Sequence, residues 1–320
     1  MSIYKKMFIN KVSQLSASVT ILFLALFGYY ITINPEILNI LEVLTINSLI
    51  ILLAIKSIML ILNSLFNKIL VKAFGIDLKN FESLYLGSIT FLGNLFLPGR
   101  IGAGFRLVYL NKKYNLKSSF LISSLLYFFV VSFFINSFIG FFSLVLNYKK
   151  IEASFIIWLL VYFLLFLISF YLLFKKFELK ETKVLKLKLF DKINSYFRDA
   201  KDGWIIIAKF RNMNRNLILI YLLNYIFFVI DIFLITSFIN IYLNLSNIVF
   251  YNSINIFSGL IGATPGSIGL KESLLALSVN VLNLSFAELF QIVLIERFIS
   301  IVFSLFPLII VLIHNKKDKN

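Results

Sequence analysis

Cysteine is absent from this sequence, histidine occurs once, proline four times, and 15 acidic residues stand against 31 lysines and arginines. Each shortage excludes something. Without cysteine there is no disulfide, no thiol nucleophile and no thiolate-bound metal. His314, alone and near the C-terminus, leaves neither a histidine metal cluster nor a Ser-His-Asp triad within reach. No P-loop occurs, so nucleotide hydrolysis is not expected to drive anything, and no clustered aspartate motif offers a site for a metal and a diphosphate. No cofactor and no metal are expected.

What the chain has instead is apolar. Hydrophobic residues make up 60% and aromatic residues 17%, with a mean hydropathy of +0.94, more than a water-facing surface tolerates. The composition implies an integral, multi-pass membrane protein, and the cell (inner or plasma) membrane is its expected location. Its apolar runs are continuous rather than alternating, which favours helices over a β-barrel, because in lipid each backbone amide must pair within its own segment. The expected fold class is an all-α polytopic membrane protein.

A span needs about 20 apolar residues. Six segments qualify, at 13–33, 43–66, 119–146, 153–174, 216–241 and 287–313, the second interrupted by Lys56. Lys5 and Lys6 ahead of the first run give it a superficial likeness to a signal peptide. It is long enough to span and shows no small-residue cleavage site, so it is read as retained. Placing the N-terminus inside puts the loops at 1–12, 67–84, 100–117, 175–215 and 316–320 on one side, and they hold 26 of the 31 lysines and arginines. That is the positive-inside asymmetry, and it argues for an N-in/C-in topology. The formal charge of +16 is thus spent on membrane sidedness, and no nucleic-acid partner is expected.

Helix breakers are concentrated at two places. Pro98-Gly99-Arg100-Ile101-Gly102 and Pro265-Gly266-Ser267-Ile268-Gly269 repeat one pattern at an offset of 167 residues, an offset that also superposes Ser118 on Ser285 ahead of the following spans. Each copy ends an apolar stretch too short to cross comfortably, at 84–97 and 246–263. Proline removes a backbone donor and glycine permits a tight reversal, so each stretch reads as one arm of a re-entrant hairpin with the Pro-Gly at its tip. Three full spans separate the copies, which turns the second over relative to the first. An inverted repeat with broken helices meeting near the midplane follows, within a single domain over 1–320 whose halves are 1–174 and 216–320. The joining segment 175–215 is strongly basic, and Leu185, Leu189, Ile193 and Phe197 recur every four residues, as in an amphipathic helix lying on the inner leaflet.

Charges within a bilayer are costly and so mark candidate sites. Arg100 and Arg106 flank the first tip, and Lys271 and Glu272 follow the second. Glu296 and Arg297 lie in the last span, and Asp231 lies in the span before the second hairpin. A phosphate could be held by Arg100, Arg106 and a half-helix N-terminus. An Asp231–Arg297 ion pair is the economical structural reading, and Arg297 reaching a lipid phosphate is the functional one. Asn94, Asn255 and Thr264 are weaker candidates.

The run from Leu97 to Arg106, with Tyr109-Leu110, the later Thr264 to Glu272, and Glu296-Arg297, resembles the flippase-like transmembrane family named after lysylphosphatidylglycerol synthase. Pro98, Gly102 and Arg106 match its first block, with Ala103 where a glutamate is common. Pro265, Gly266, Gly269, Glu272 and Arg297 match the second. The span after the first hairpin lacks the arginine that many members carry. The resemblance implies a stand-alone member, the lipid-handling half without the aminoacyl-transferase domain.

Three functions follow as expectations. The first is a flippase moving an anionic or lipid-linked substrate between leaflets, with membrane lipids as partners and no catalysis. The second is a subunit, catalytic or not, of a lipid-linked glycan or lipid-modifying enzyme, with Glu272 or Asp231 as base. The third is a scaffold that recruits a cytosolic or membrane enzyme through 175–215.

Overall fold

The computed structural model describes residue 32 and residues 44–146, 153–174, 201–207 and 209–317. Among the described residues every regular element is a helix. In order, apart from a helical stretch at 201–207, these are α1 (Ile46–Lys72), α2 (Asn80–Phe96), α3 (Ile101–Tyr114), α4 (Ser118–Leu146), α5 (Ala153–Phe174), α6 (Arg211–Phe238) and α7 (Leu245–Ile261). A single 3-10 turn (Pro265–Ser267) then precedes α8 (Leu270–Ala276), α9 (Val279–Leu282), α10 (Phe286–Phe303) and α11 (Leu305–Lys317). Five stretches are long and apolar enough to cross a membrane: α1, α4, α5, α6, and α10 with α11. The protein is an all-α, multi-pass membrane protein. The expected span at 13–33, Thr32 apart, and the amphipathic stretch from Leu185 to Phe197 lie outside the described residues.

The second expected span starts at Ile46 and runs on to Lys72. Thr45 caps it by accepting the Ser48 N–H at 3.2 Å. Asn63, Ser64 and Asn67 do not end it, because each side chain bonds back to the carbonyl four residues earlier, at 3.0, 2.8 and 2.8 Å. At the other end of the chain, Ser285 and Glu288 cap α10 reciprocally. The last span breaks at Ser304 because Pro307 has no N–H to give the Phe303 carbonyl.

Lipid tails solvate leucine as well as a neighbouring helix does, so helices here associate through close approach and interhelical hydrogen bonds. Both devices are present. Within the first hairpin α2 packs on α3 at Gly93 and Gly102, and a Cβ on Gly102 would overlap the Thr90 carbonyl. Between α4 and α7, Asn136 donates to the Ser253 carbonyl at 3.0 Å and Ser253 returns a bond to the Asn136 carbonyl at 3.2 Å. Phe134 and Phe166 stack between α4 and α5, 5.4 Å apart. The outer side of α5 exposes Ile157, Leu160, Leu164 and Ile168, a lipid-facing surface at the rim of the bundle.

The base of the first hairpin is tied by Glu82, which pairs with Lys113 at 2.9 Å and accepts from Tyr109 and Tyr114 at 2.8 Å each. Burial acts to raise the Glu82 carboxyl, but the bonds from Lys113, Tyr109 and Tyr114 outweigh it and hold the group below its ordinary value. A carboxyl depressed in the fold stabilises fully above its unfolded value, and that contribution is lost as pH falls through the folded one. Glu82→Gln is therefore expected to lower the thermal midpoint of the purified protein at pH 7, with the difference from the parent shrinking as pH falls below the ordinary carboxylate range and Glu82 protonates. An equal loss at neutral and acidic pH would contradict the ionic role.

Candidate functional site

Each Pro-Gly copy breaks the chain where the sequence places it. At the first, Gly99 and Arg100 adopt left-handed backbone (φ 66° and 54°) between α2 and α3. At the second, Gly262 ends α7 at φ 53°, Gly266 and Ser267 follow at 52° and 56°, and Gly269 at 82° leads into α8. A side chain at positive φ is strained, and Arg100 is held there by what it binds. Its Nε donates to the Gly259 carbonyl at 2.8 Å, Nη2 donates to the same oxygen, and its guanidinium lies 4.8 Å from the Phe129 ring centroid.

These bonds join the hairpins tip to tip. The last carbonyls of a helix have no partner within it. Here the first hairpin supplies donors for α7: Arg100 for Gly259, and the Gly99 N–H for Gly262 at 3.0 Å. A cation at that helix end also matches the dipole. The two Pro-Gly breaks thus touch each other in the structure.

A cavity of about 490 Å³ opens beside the junction, walled by α1, both hairpins, α4, α6 and α10. Lys56, Arg100, Arg106, Lys271 and Arg297 reach it, against one carboxylate, Glu296. Three of these cations are neutralised. Lys56 pairs with Asp231 at 2.6 Å, Lys271 with Glu296 at 2.5 Å, and Arg297 with Glu272 at 2.5 Å. Glu296 also accepts from Tyr251 and Asn255, at 2.7 and 2.8 Å. Arg297 reaches the second tip too, donating to the Gly266 carbonyl at 2.9 Å.

Among the described residues the remaining two cations have neutral partners only. Arg100 has the Gly259 carbonyl and Phe129, and Arg106, 4% exposed, donates to the Asn67 amide oxygen. Arg106 is therefore inside the protein rather than reaching up to an interface. Among the described residues no carboxylate pairs with either.

The Asp231–Arg297 pair expected from the sequence does not form. Asp231 lies on α6 against α1, where Lys56 meets it, and it is fully buried behind that lysine rather than in the cavity wall. Arg297 follows Glu296 by one residue, about 100° around the helix, so it turns to Glu272 and the tip while Glu296 faces Lys271. Glu272 further reaches back to cap the Gly269 N–H at 2.7 Å, so it braces the second tip. Of the weaker candidates, Asn94, Asn255 and Thr264 all line the cavity.

Asn67, Phe129 and Tyr251 were not singled out from the sequence. One of them had a readable signal: Lys56, Asn63 and Asn67 recur at helical spacing on one face of α1, and all three line the cavity. Phe129 and Tyr251 carry no such mark in a chain with 37 phenylalanines and 15 tyrosines.

Comparison with curated proteins and with solved structures gave no match. Against protein families, residues 13–307 match the lysylphosphatidylglycerol synthase TM region, a stretch that contains both hairpins and every charged residue of the cavity. The chain belongs to that family.

Proposed function

We propose that the chain moves an anionic or lipid-linked substrate between the leaflets of the cell membrane, the headgroup passing between the two hairpin tips while the acyl chains stay in the bilayer. Family membership supports a role in membrane-lipid handling. The observation that carries the proposal is the pair of arginines, Arg100 and Arg106, in the cavity wall with neutral partners only among the described residues. A buried cation without a counter-charge costs several kcal/mol, and a ligand phosphate would offset that cost through short, charge-assisted hydrogen bonds.

Alternating access around this junction would carry the headgroup across, with a gradient or mass action as the driving force. An N-in/C-in topology and inverted hairpins entering from opposite faces fit the charge distribution of the loops. The transport reading is preferred to an enzymatic one because Glu272 and Asp231, the carboxylates a base would come from, each face a cation.

A photoreactive anionic lipid incubated with the purified chain in nanodiscs tests the path. Labelling is expected in 87–106 and 255–271, the segments that form the junction. Labelling confined to the outward faces of α1 and α5 would exclude the cavity as the route.

A further inference from the structure

The charge left over in the cavity bears on what it holds. We infer that the site selects a lipid headgroup with two negative charges, a phosphomonoester, over a singly charged phosphodiester or an aminoacylated lipid. This rests on the reading that the cavity receives a lipid headgroup, and it narrows the substrate class.

Three cation–carboxylate pairs cancel within the protein, leaving the guanidinium groups of Arg100 and Arg106 as the cavity cations with no counter-charge among the described residues. Both retain free donors. Arg100 uses Nε and Nη2 on the Gly259 carbonyl, and Arg106 uses Nη1 on Asn67. Nη1 of Arg100 and both Nε and Nη2 of Arg106, unused among the described residues, are thus offered to ligand oxygens. A phosphomonoester carries about −1.5 to −2 charges near neutral pH and three acceptor oxygens, matching the charge of the two guanidinium groups, the free Nε/Nη2 fork of Arg106 and the free Nη1 of Arg100. A phosphodiester would leave one guanidinium uncompensated.

An aminoacylated headgroup would fare worse, because its ammonium needs a carboxylate. Glu296 is occupied by Lys271, Tyr251 and Asn255, and Glu272 by Arg297 and the Gly269 N–H. Asp231 lies behind Lys56, outside the cavity wall. Ala103, a wall residue beside Gly102, offers no charge either.

Two lipid types share this chemistry, diacylglycerol phosphate and polyprenyl monophosphate. The test is competition against fluorescent phosphatidic acid bound to the full chain in phosphatidylcholine nanodiscs. The competitors are phosphatidic acid, polyprenyl monophosphate, phosphatidylmethanol with the same acyl chains, and lysylphosphatidylglycerol. At least one phosphomonoester is expected to compete about tenfold or more better than phosphatidylmethanol, and the better of the two names the lipid source. Arg100→Gln and Arg106→Gln should each shrink that preference to about twofold, whereas Arg106→Lys, which keeps the charge, should retain most of it. Equal competition by monoester and diester on the intact chain, or tightest binding of lysylphosphatidylglycerol, overturns the inference. A monoester preference without any transfer between leaflets keeps the substrate class and removes the transport reading. Transfer without the preference does the reverse.

Discussion

Arg106→Ala is expected to slow lipid transfer by about 10- to 150-fold, the loss of one charge-assisted hydrogen-bonded contact to an anion, without lowering the thermal stability of the protein. The two halves of that result come from the same fact. Arg106 is buried with only the Asn67 amide oxygen as partner among the described residues, so the ligand-free protein bears an uncompensated charge that the loaded protein does not. Removing the side chain relieves the first and abolishes the second. Arg100→Ala should differ, because Arg100 also supplies a donor to the end of α7. It should lose transfer and stability together. Transfer assayed in proteoliposomes, with unfolding followed on the same preparations, separates the two. Full transfer by Arg106→Ala would remove that residue from the site.

Glu296→Ala should act in the opposite manner, as a failure of the fold. The substitution strands Lys271 in the interior and removes the acceptor of Tyr251 and Asn255. Breaking a buried ion pair from one side costs about 3–5 kcal/mol, whereas replacing both partners by apolar residues of similar volume is often neutral. Denaturant titration in mild detergent should therefore show Glu296→Ala strongly destabilised, and Lys271→Met with Glu296→Leu much closer to the parent. A double variant as unstable as the single one would mean that the pair does more than neutralise itself.

The sequence disclosed those parts of the architecture that depend on one-dimensional signals. Apolar runs located α4 and α5 closely, since a bilayer imposes length on any helix that crosses it. The two Pro-Gly copies located both tips, because few residues tolerate the left-handed backbone found at Gly99, Gly262, Gly266 and Gly269. Ser118 and Ser285 marked the starts of α4 and α10. The break at Ser304 was also written in the chain, in Pro307, but an unbroken apolar run masked it.

Pairing was less legible. Asp231 and Arg297 are both charged and both intramembrane, which made them natural partners on electrostatic grounds alone. Their true partners depend on which helices pack together: α6 lies along α1, bringing Asp231 to Lys56, and α8 lies beside α10, bringing Glu272 to Arg297. No periodicity in a single chain encodes that choice. For the same reason Arg100 and Arg106 could be ranked as candidates, but their lack of a carboxylate partner among the described residues, which sets them apart from Lys56, Lys271 and Arg297, emerges only in three dimensions.

The central claim, that an anionic lipid headgroup crosses between the hairpin tips, is met most directly by leaflet-resolved transfer in proteoliposomes. Fluorescent analogues of phosphatidic acid, polyprenyl phosphate and phosphatidylglycerol would be loaded in one leaflet and their arrival in the other followed by quenching. Protein-dependent transfer of at least one anionic analogue is expected, reduced in Arg106→Ala. Rates equal to those of protein-free liposomes for every analogue, with folded protein present in the membrane, would contradict it.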